Sequence, residues 1–134
     1  MSTMPLFDSM TSALSRVLDL RQQQHAITAS NLANADTPGF KARVLEFDDT
    51  LTAVMEHAKQ LQLHRQVGDH LGSQAVRDPR IVQFDPTPWT VDDNSVLPER
   101  EMARMQENAL LYRAVSEGLS RRLALLKYAA NDGR

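Results

Sequence analysis

Side chains at the two ends of this chain advance in alternating steps of three and four. Near the start run Met10, Ala13, Val17, Leu20, Gln24, Ile27, Asn31 and Asn34; near the finish run Met102, Met105, Ala109, Tyr112, Ser116, Leu119, Leu123, Leu126 and Ala130. That alternation is the spacing of a coiled-coil seam, along which one helix face meets another. Two long terminal helices packed as a coiled-coil-like pair are therefore predicted, over about Asp8–Asn34 and Pro98–Ala130. The first would extend ~40 Å at the helical rise per residue. Val17, Leu20 and Ile27 on one helix, and Met105, Tyr112, Leu119, Leu123 and Leu126 on the other, are the expected seam contacts.

The two patterns differ in quality. Leu14 and Leu18 widen the first stripe at its start, whereas Gln24, Asn31 and Asn34 make its second half polar. Leu111, Val115 and Leu125 add apolar surface beside the second stripe. Asp8 or Ser9 suits the N-cap of the first helix. Pro98 fits the first turn of the second, with Glu99 and Glu101 near its positive dipole end and Arg121, Arg122 and Lys127 nearer the negative end.

What stops the first helix is local. Thr37 precedes a proline and is pushed out of the helical region, so the helix should end near Asn34 or Ala35. Pro38 presets φ for the second position of a tight turn and Gly39 supplies φ > 0 for the third, so Thr37-Pro38-Gly39-Phe40 is predicted to form a type II turn. Asn34 and Asp36 suit a helix exit, where short polar side chains bond unpaired backbone groups.

The chain divides into three parts: 1–42, the first helix and its turn; 43–97, a loop-rich middle; and 98–134, the last helix with a frayed end. In the middle, Leu51, Val54, Met55, Ala58 and Leu61 allow a helix over 47–63, opened by Asp48, Asp49 or Thr50. Gly68, Gly72, Pro79, Pro86 and Pro88, with short apolar pairs such as Ile81-Val82, suit irregular chain and short β segments. Residues 91–96 suit a turn before the last helix. The expected fold class is mainly α, with a small irregular middle region.

Composition narrows function by exclusion. Lys and Arg number 15 against 17 Asp and Glu, a formal charge of −2, so no basic surplus points to nucleic acid. Without cysteine the chain has no disulfide, thiolate metal site or cysteine nucleophile. Aromatics make up only 5% of the residues, which argues against a compact core. Residues 1–10 lack both a basic leader and an apolar run, so no cleavable signal is expected, and no stretch approaches the ~18 apolar residues of a membrane span.

Candidate chemistry has simpler explanations. His57, His64 and His70 are spaced by seven and six, looser than the pairs that usually hold metals, and no carboxylate completes a ligand set. His25 lies among glutamines and suits a polar helix face. Asp48-Asp49 and Asp92-Asp93 could serve as acid and base or hold a cation, but capping and turn formation account for them. Trp89 suits either an interface anchor or a cover for local apolar residues. No catalytic, cofactor or metal residue is assigned.

The segment from Ala29 to Ala42, ASNLANADTPGFKA, resembles the N-terminal signature of flagellar rod and hook axial proteins: a helix, two asparagines three apart, then Thr-Pro-Gly-aromatic. Asp93-Asn94-Ser95-Val96 and Asn108-Ala109-Leu110-Leu111-Tyr112 are similar to that family's C-terminal segment. The short chain, Phe40-Lys41-Ala42-Arg43 and Phe47 resemble its proximal-rod member most. The family usually carries Asp-Gly-Asn where this chain has Asp92-Asp93-Asn94, so a different turn is expected there.

The resemblance implies a structural subunit of the proximal rod of the bacterial flagellar basal body, not an enzyme. It implies export through the flagellar type III apparatus without signal cleavage, and polymerisation with itself and other rod proteins into a hollow, torque-transmitting shaft across the periplasm. Contacts with the rod-to-membrane-ring adaptor and the MS ring follow from the same resemblance, with no membrane insertion and no cofactor. Asn31, Asn34, Asp36, Thr37, Pro38, Gly39 and Phe40 would form the assembly and turn motif, with Asn31 and Asn34 bonding neighbouring backbone to fix register. The terminal helices would be partly disordered in the free monomer. An adaptor or export-chaperone module, and more remotely a metal enzyme using the central histidines, are the alternative classes.

Overall fold

The computed structural model describes residues 9–46, 48–63, 79–85 and 92–131. It is mainly helical, in the order α1 (Ser9–Ala33), β1 (Arg43–Glu46), α2 (Asp48–Leu63), β2 (Arg80–Gln83) and α3 (Pro98–Ala130). Expectations for Asp8, Phe47, His64, Gly68, His70, Gly72, Pro86, Pro88, Trp89 and the last three residues fall outside the described residues.

α1 is the hub, packing against α3, α2 and β1. Its three-four stripe is the face it buries: Ala13, Val17 and Leu20 are all but inaccessible, and Gln24 and Asn31 continue the line. Thr28, one position beyond Ile27, is buried with them. Leu20 meets Leu45 of β1, with Ile27 and Leu51 packed around the pair, and Ala13 meets Val54 of α2. Contacts thus advance along α2 as they retreat along α1, so the two helices run antiparallel.

β1 and β2 form an antiparallel pair with Val44 opposite Val82 and Leu45 opposite Ile81. Leu45 is buried whereas Ile81 stays exposed, so the ribbon has an inner edge on the helices and an outer one in solvent. Two strands this short are marginal alone. Their stability comes from α1, and β1 itself was not expected from the sequence.

α3 packs along α1 as the second long helix, also antiparallel: Asn31 of α1 bonds Glu101, and the carbonyl of Arg21 is met by Asn108. Pro98 stands in the first turn after an extended Leu97, and the Asn131 N–H closes the far end on the Lys127 and Tyr128 carbonyls. The seam here differs from the expected one. Met105, Leu119 and Leu126 are half-buried, but Tyr112 and Leu123 are each 42% exposed and Met102 is 51% exposed, while Glu101 and Asn108 are buried. Met105, Leu119 and Leu126 keep their place, while Glu101 and Asn108 replace Met102 and Ala109 because the α1 face they meet carries polar groups. Those groups require hydrogen-bonding partners once desolvated.

Candidate assembly joint

Where α1 ends, five short segments meet. The last turn tightens through N–H groups of Asn34 and Ala35 donating to the carbonyls of Asn31 and Leu32, the i→i+3 pattern of a helix terminus. Then Pro38 and Gly39 occupy the middle of a turn closed by the Phe40 N–H on the Thr37 carbonyl at 3.2 Å, and Gly39 has φ 70°. That is a type II turn. No neighbouring atom lies within 4 Å of where a Gly39 Cβ would stand, so glycine is required there by φ alone.

The chain leaving this turn is held by the segment that leads into α3. Gly39 N–H donates to the Asp92 carbonyl at 2.8 Å, and Ser95 N–H donates to the Phe40 carbonyl at 3.0 Å. Asn94, buried, turns its amide onto three carbonyls of the α1 exit, those of Asn34, Ala35 and Thr37. Its own oxygen accepts from the Val96 N–H at 2.7 Å. A residue 60 positions away thus supplies the C-cap of α1. Ser95 ties the ribbon to the same place, its hydroxyl accepting from Ala42 N–H and donating to the Phe84 carbonyl.

Asn31 is completely buried. Its oxygen accepts from Arg43 N–H at 2.9 Å and its amide donates to the Arg43 carbonyl at 2.7 Å, so one side chain pairs with one residue of β1 as a neighbouring strand would. The same amide donates to Glu101 Oε2 at 3.0 Å, and Glu101 Oε1 accepts from Arg104 at 2.8 Å. Arg43 also reaches back to the Ser30 hydroxyl. Helix exit, first strand and last helix are joined through these two amides and one carboxylate.

Of the expected motif, Asp36, Thr37, Pro38 and Gly39 are exposed and Phe40 is half-buried. Asn34 bonds within its own chain, donating to the Ser30 carbonyl and accepting from the Thr37 hydroxyl. Asn31 likewise has its amide engaged within the chain, on the Arg43 backbone and on Glu101. Asp93, which stands where the family usually carries glycine, adopts φ 55°, the left-handed region that glycine enters readily.

Asn94, Ser95, Glu101 and Asn108 carry more of the structure than the sequence suggested. Glu101, Met105, Asn108, Tyr112, Val115, Leu119, Arg122 and Leu126 also alternate by three and four, a second register masked by its polar members. The remaining contact at the joint is on the surface. Lys41 and Asp85 pair at 2.7 Å, and their hydrogen bond, then their charges, raise the lysine pKa and lower that of the aspartate. Among the described residues no cluster of histidine and carboxylate side chains could hold a metal ion, and no helix is long and apolar enough to cross a membrane.

The stretch that forms α1 and its Pro-Gly turn, residues 10–41, matches the flagella basal body rod protein family. The chain is 33% identical to the flagellar basal body rod protein FlgB of Salmonella typhimurium over 116 residues, 80% of this chain and 84% of that one. It is 32% identical to FlgB of Escherichia coli over 124 residues, 86% and 90% of the two chains, and 24% identical to FlgB of Bacillus subtilis over 98% and 100%. The chain belongs to the FlgB family of flagellar rod proteins. This is a structural family and not an enzyme family.

Proposed function

We propose that this chain is a subunit of the proximal rod, polymerising with itself and with other rod proteins into a hollow shaft that transmits torque across the periplasm. In this reading parts 1–42 and 98–134 form the axial core, and the chain is delivered by the flagellar type III export apparatus without cleavage of a leader. At its base it meets the rod-to-membrane-ring adaptor and the MS ring. The motif from Asn31 to Phe40 acts by fixing the direction in which the chain leaves the core.

The observation that carries this reading is the exposure of α3. Leu110, Leu125 and Tyr128 are more than 60% exposed on a helix that packs, among the described elements, against α1 alone. Exposed apolar residues in such number on one helix mark a surface built for contact with other proteins. The buried joint supports the same reading, since a shaft under torque needs the angle between core and outer region held by hydrogen bonds.

An epitope-tagged copy of the chain, expressed in a motile host lacking its own FlgB, tests the proposal. Recovery of swimming together with the tag in isolated hook–basal bodies is expected. Swimming restored with the tag absent from those particles, or a tag found only in soluble complexes with export components, would overturn it.

A further inference from the structure

Residues 92–97, which lead into α3, cross the α1 exit, and their main contact there has one acceptor too many. Asn94 is 3% exposed, and chemistry fixes which way its side chain faces. The Val96 N–H can only donate, so it meets the side-chain oxygen, at 2.7 Å. The carbonyls of Asn34, Ala35 and Thr37 can only accept, so they meet the amide nitrogen, at 3.0, 2.8 and 2.8 Å. That nitrogen carries two protons. Two of the three carbonyls are served in full at any moment, and the third needs another donor.

The backbone supplies one for two of them. The Asn34 carbonyl also accepts from the Thr37 N–H at 3.1 Å, and the Thr37 carbonyl from the Phe40 N–H at 3.2 Å. Among the described residues no second donor reaches the Ala35 carbonyl. The amide can therefore leave Asn34 or Thr37 and each carbonyl keeps a partner, whereas leaving Ala35 strips that carbonyl of its donor. Each choice has a geometric consequence. With the amide on Ala35 and Asn34, the Thr37 carbonyl rests on the Phe40 N–H and the Pro38-Gly39 turn is tight. With the amide on Ala35 and Thr37, the Asn34 carbonyl rests on the Thr37 N–H, the turn before Pro38 tightens and the Pro38-Gly39 turn is free to open. Both backbone bonds are longer than the usual N–H to oxygen distance, as befits bonds whose acceptors are shared.

We propose that Asn94 gives the exposed turn at Asp36–Pro38 two settings, its amide holding the Ala35 carbonyl throughout and alternating between those of Asn34 and Thr37. The proposal rests on the rod reading and adds to it how one subunit fits unlike neighbours. Both settings make the same number of hydrogen bonds, so they lie close in free energy and a small difference in outside contact selects between them. Asp36, Thr37 and Pro38 are exposed, where a neighbouring protein can press on them. The movement is confined to them. Gly39 and Phe40 are tied to Asp92 and Ser95, and Asn31 locks β1 and α3 to α1 behind the turn. A subunit that meets its own kind and also different rod proteins thus presents two turn shapes on one rigid frame.

Solution NMR of the uniformly labelled full chain reads the amide directly, through couplings across hydrogen bonds from the Asn94 side-chain nitrogen to each carbonyl carbon. Couplings to Asn34 and Thr37 are each expected at about half the Ala35 value, the average of two settings. Full coupling to one of them with none to the other, or none to all three, overturns the proposal. Gly39→Ala adds a Cβ that meets nothing within 4 Å but strains a residue at φ 70°. It should weaken the Pro38-Gly39 turn and move the amide towards Thr37, raising the ratio of the Thr37 to the Asn34 coupling about fivefold. A static shared bond gives the same halves and leaves that ratio unchanged, which also overturns the proposal. One setting in a chain that enters basal bodies removes the two-position turn and leaves the rod reading standing. Two settings in a chain never found in basal bodies do the reverse.

Discussion

α1 and α3 have the same three-four alternation and opposite fates. Leu20 of α1 is 1% exposed, held by Leu45, Ile27 and Leu51, whereas Leu123, at the matching kind of position in α3, is 42% exposed. α1 is covered by α3, α2 and β1 together, whereas among the described elements α3 packs only along α1. Periodicity identifies the face a helix can bury, and the chain's own topology decides whether anything is there to bury it.

Removing Asn31 is expected to have the largest effect. Asn31→Ala leaves the Arg43 N–H and carbonyl and one oxygen of Glu101 buried without their partner. A loss of about 3–5 kcal/mol in urea unfolding is expected. A loss below about 1 kcal/mol would mean that water takes over the amide's contacts and that the joint is less dry than its burial indicates.

The contrast between the helices is tested directly by a pair of truncations. Leu20→Ala should cost about 3 kcal/mol in the isolated chain through the cavity it leaves. Leu125→Ala, on the bare face, should stay within about 0.5 kcal/mol yet impair incorporation into basal bodies. Equal costs in the monomer would show that something already covers α3.

Much of this arrangement is visible in the sequence where the cause is local. Thr37-Pro38-Gly39-Phe40 specifies its turn through φ restrictions of adjacent residues, and the stripe of Ala13, Val17 and Leu20 specifies a buried face through spacing alone. Asn94 and Glu101 are different. Their partners lie 60 and 70 positions away, and each has a sufficient local explanation, a turn residue and an acid near a helix N-terminus. β1 was hidden similarly, because Arg43–Glu46 becomes a strand only by pairing with residues 80–83 and by the embrace of Asn31. In α3 the spacing finds Met105, Leu119 and Leu126 but not Glu101 and Asn108, since apolar spacing does not register a polar side chain that is buried for its hydrogen bonds.

The turn before α3 offers a gain. Asp93 holds φ 55°, at a cost an L-residue seldom bears, so Asp93→Gly should stabilise the chain by about 0.5–1 kcal/mol, net of glycine's extra unfolded-state freedom. Thermal unfolding measures it. A loss instead would show that the Asp93 side chain contributes an interaction worth more than the strain.

The smallest effect belongs to Lys41–Asp85, and it sharpens the contrast between buried and exposed polar contacts. The aspartate's pKa lies below its ordinary 3.8, by its hydrogen bond to Lys41 and then that residue's charge, so its contribution is complete above 3.8 and fades as pH falls through the lowered value. The lysine's pKa lies above 10.5 for the reciprocal reasons, so its contribution is complete below 10.5 and fades as pH rises through the raised value. Between these limits the pair adds no slope to stability. Both groups are in water, where salt screens them and the pair contributes little. Carboxyl NMR titration should place Asp85 below its ordinary value, and Lys41→Met should return it there while leaving neutral-pH stability almost unchanged. A clear loss of stability in that variant would mean that the ribbon's edge depends on its surface ion pair as well as on Ser95 and Asn31.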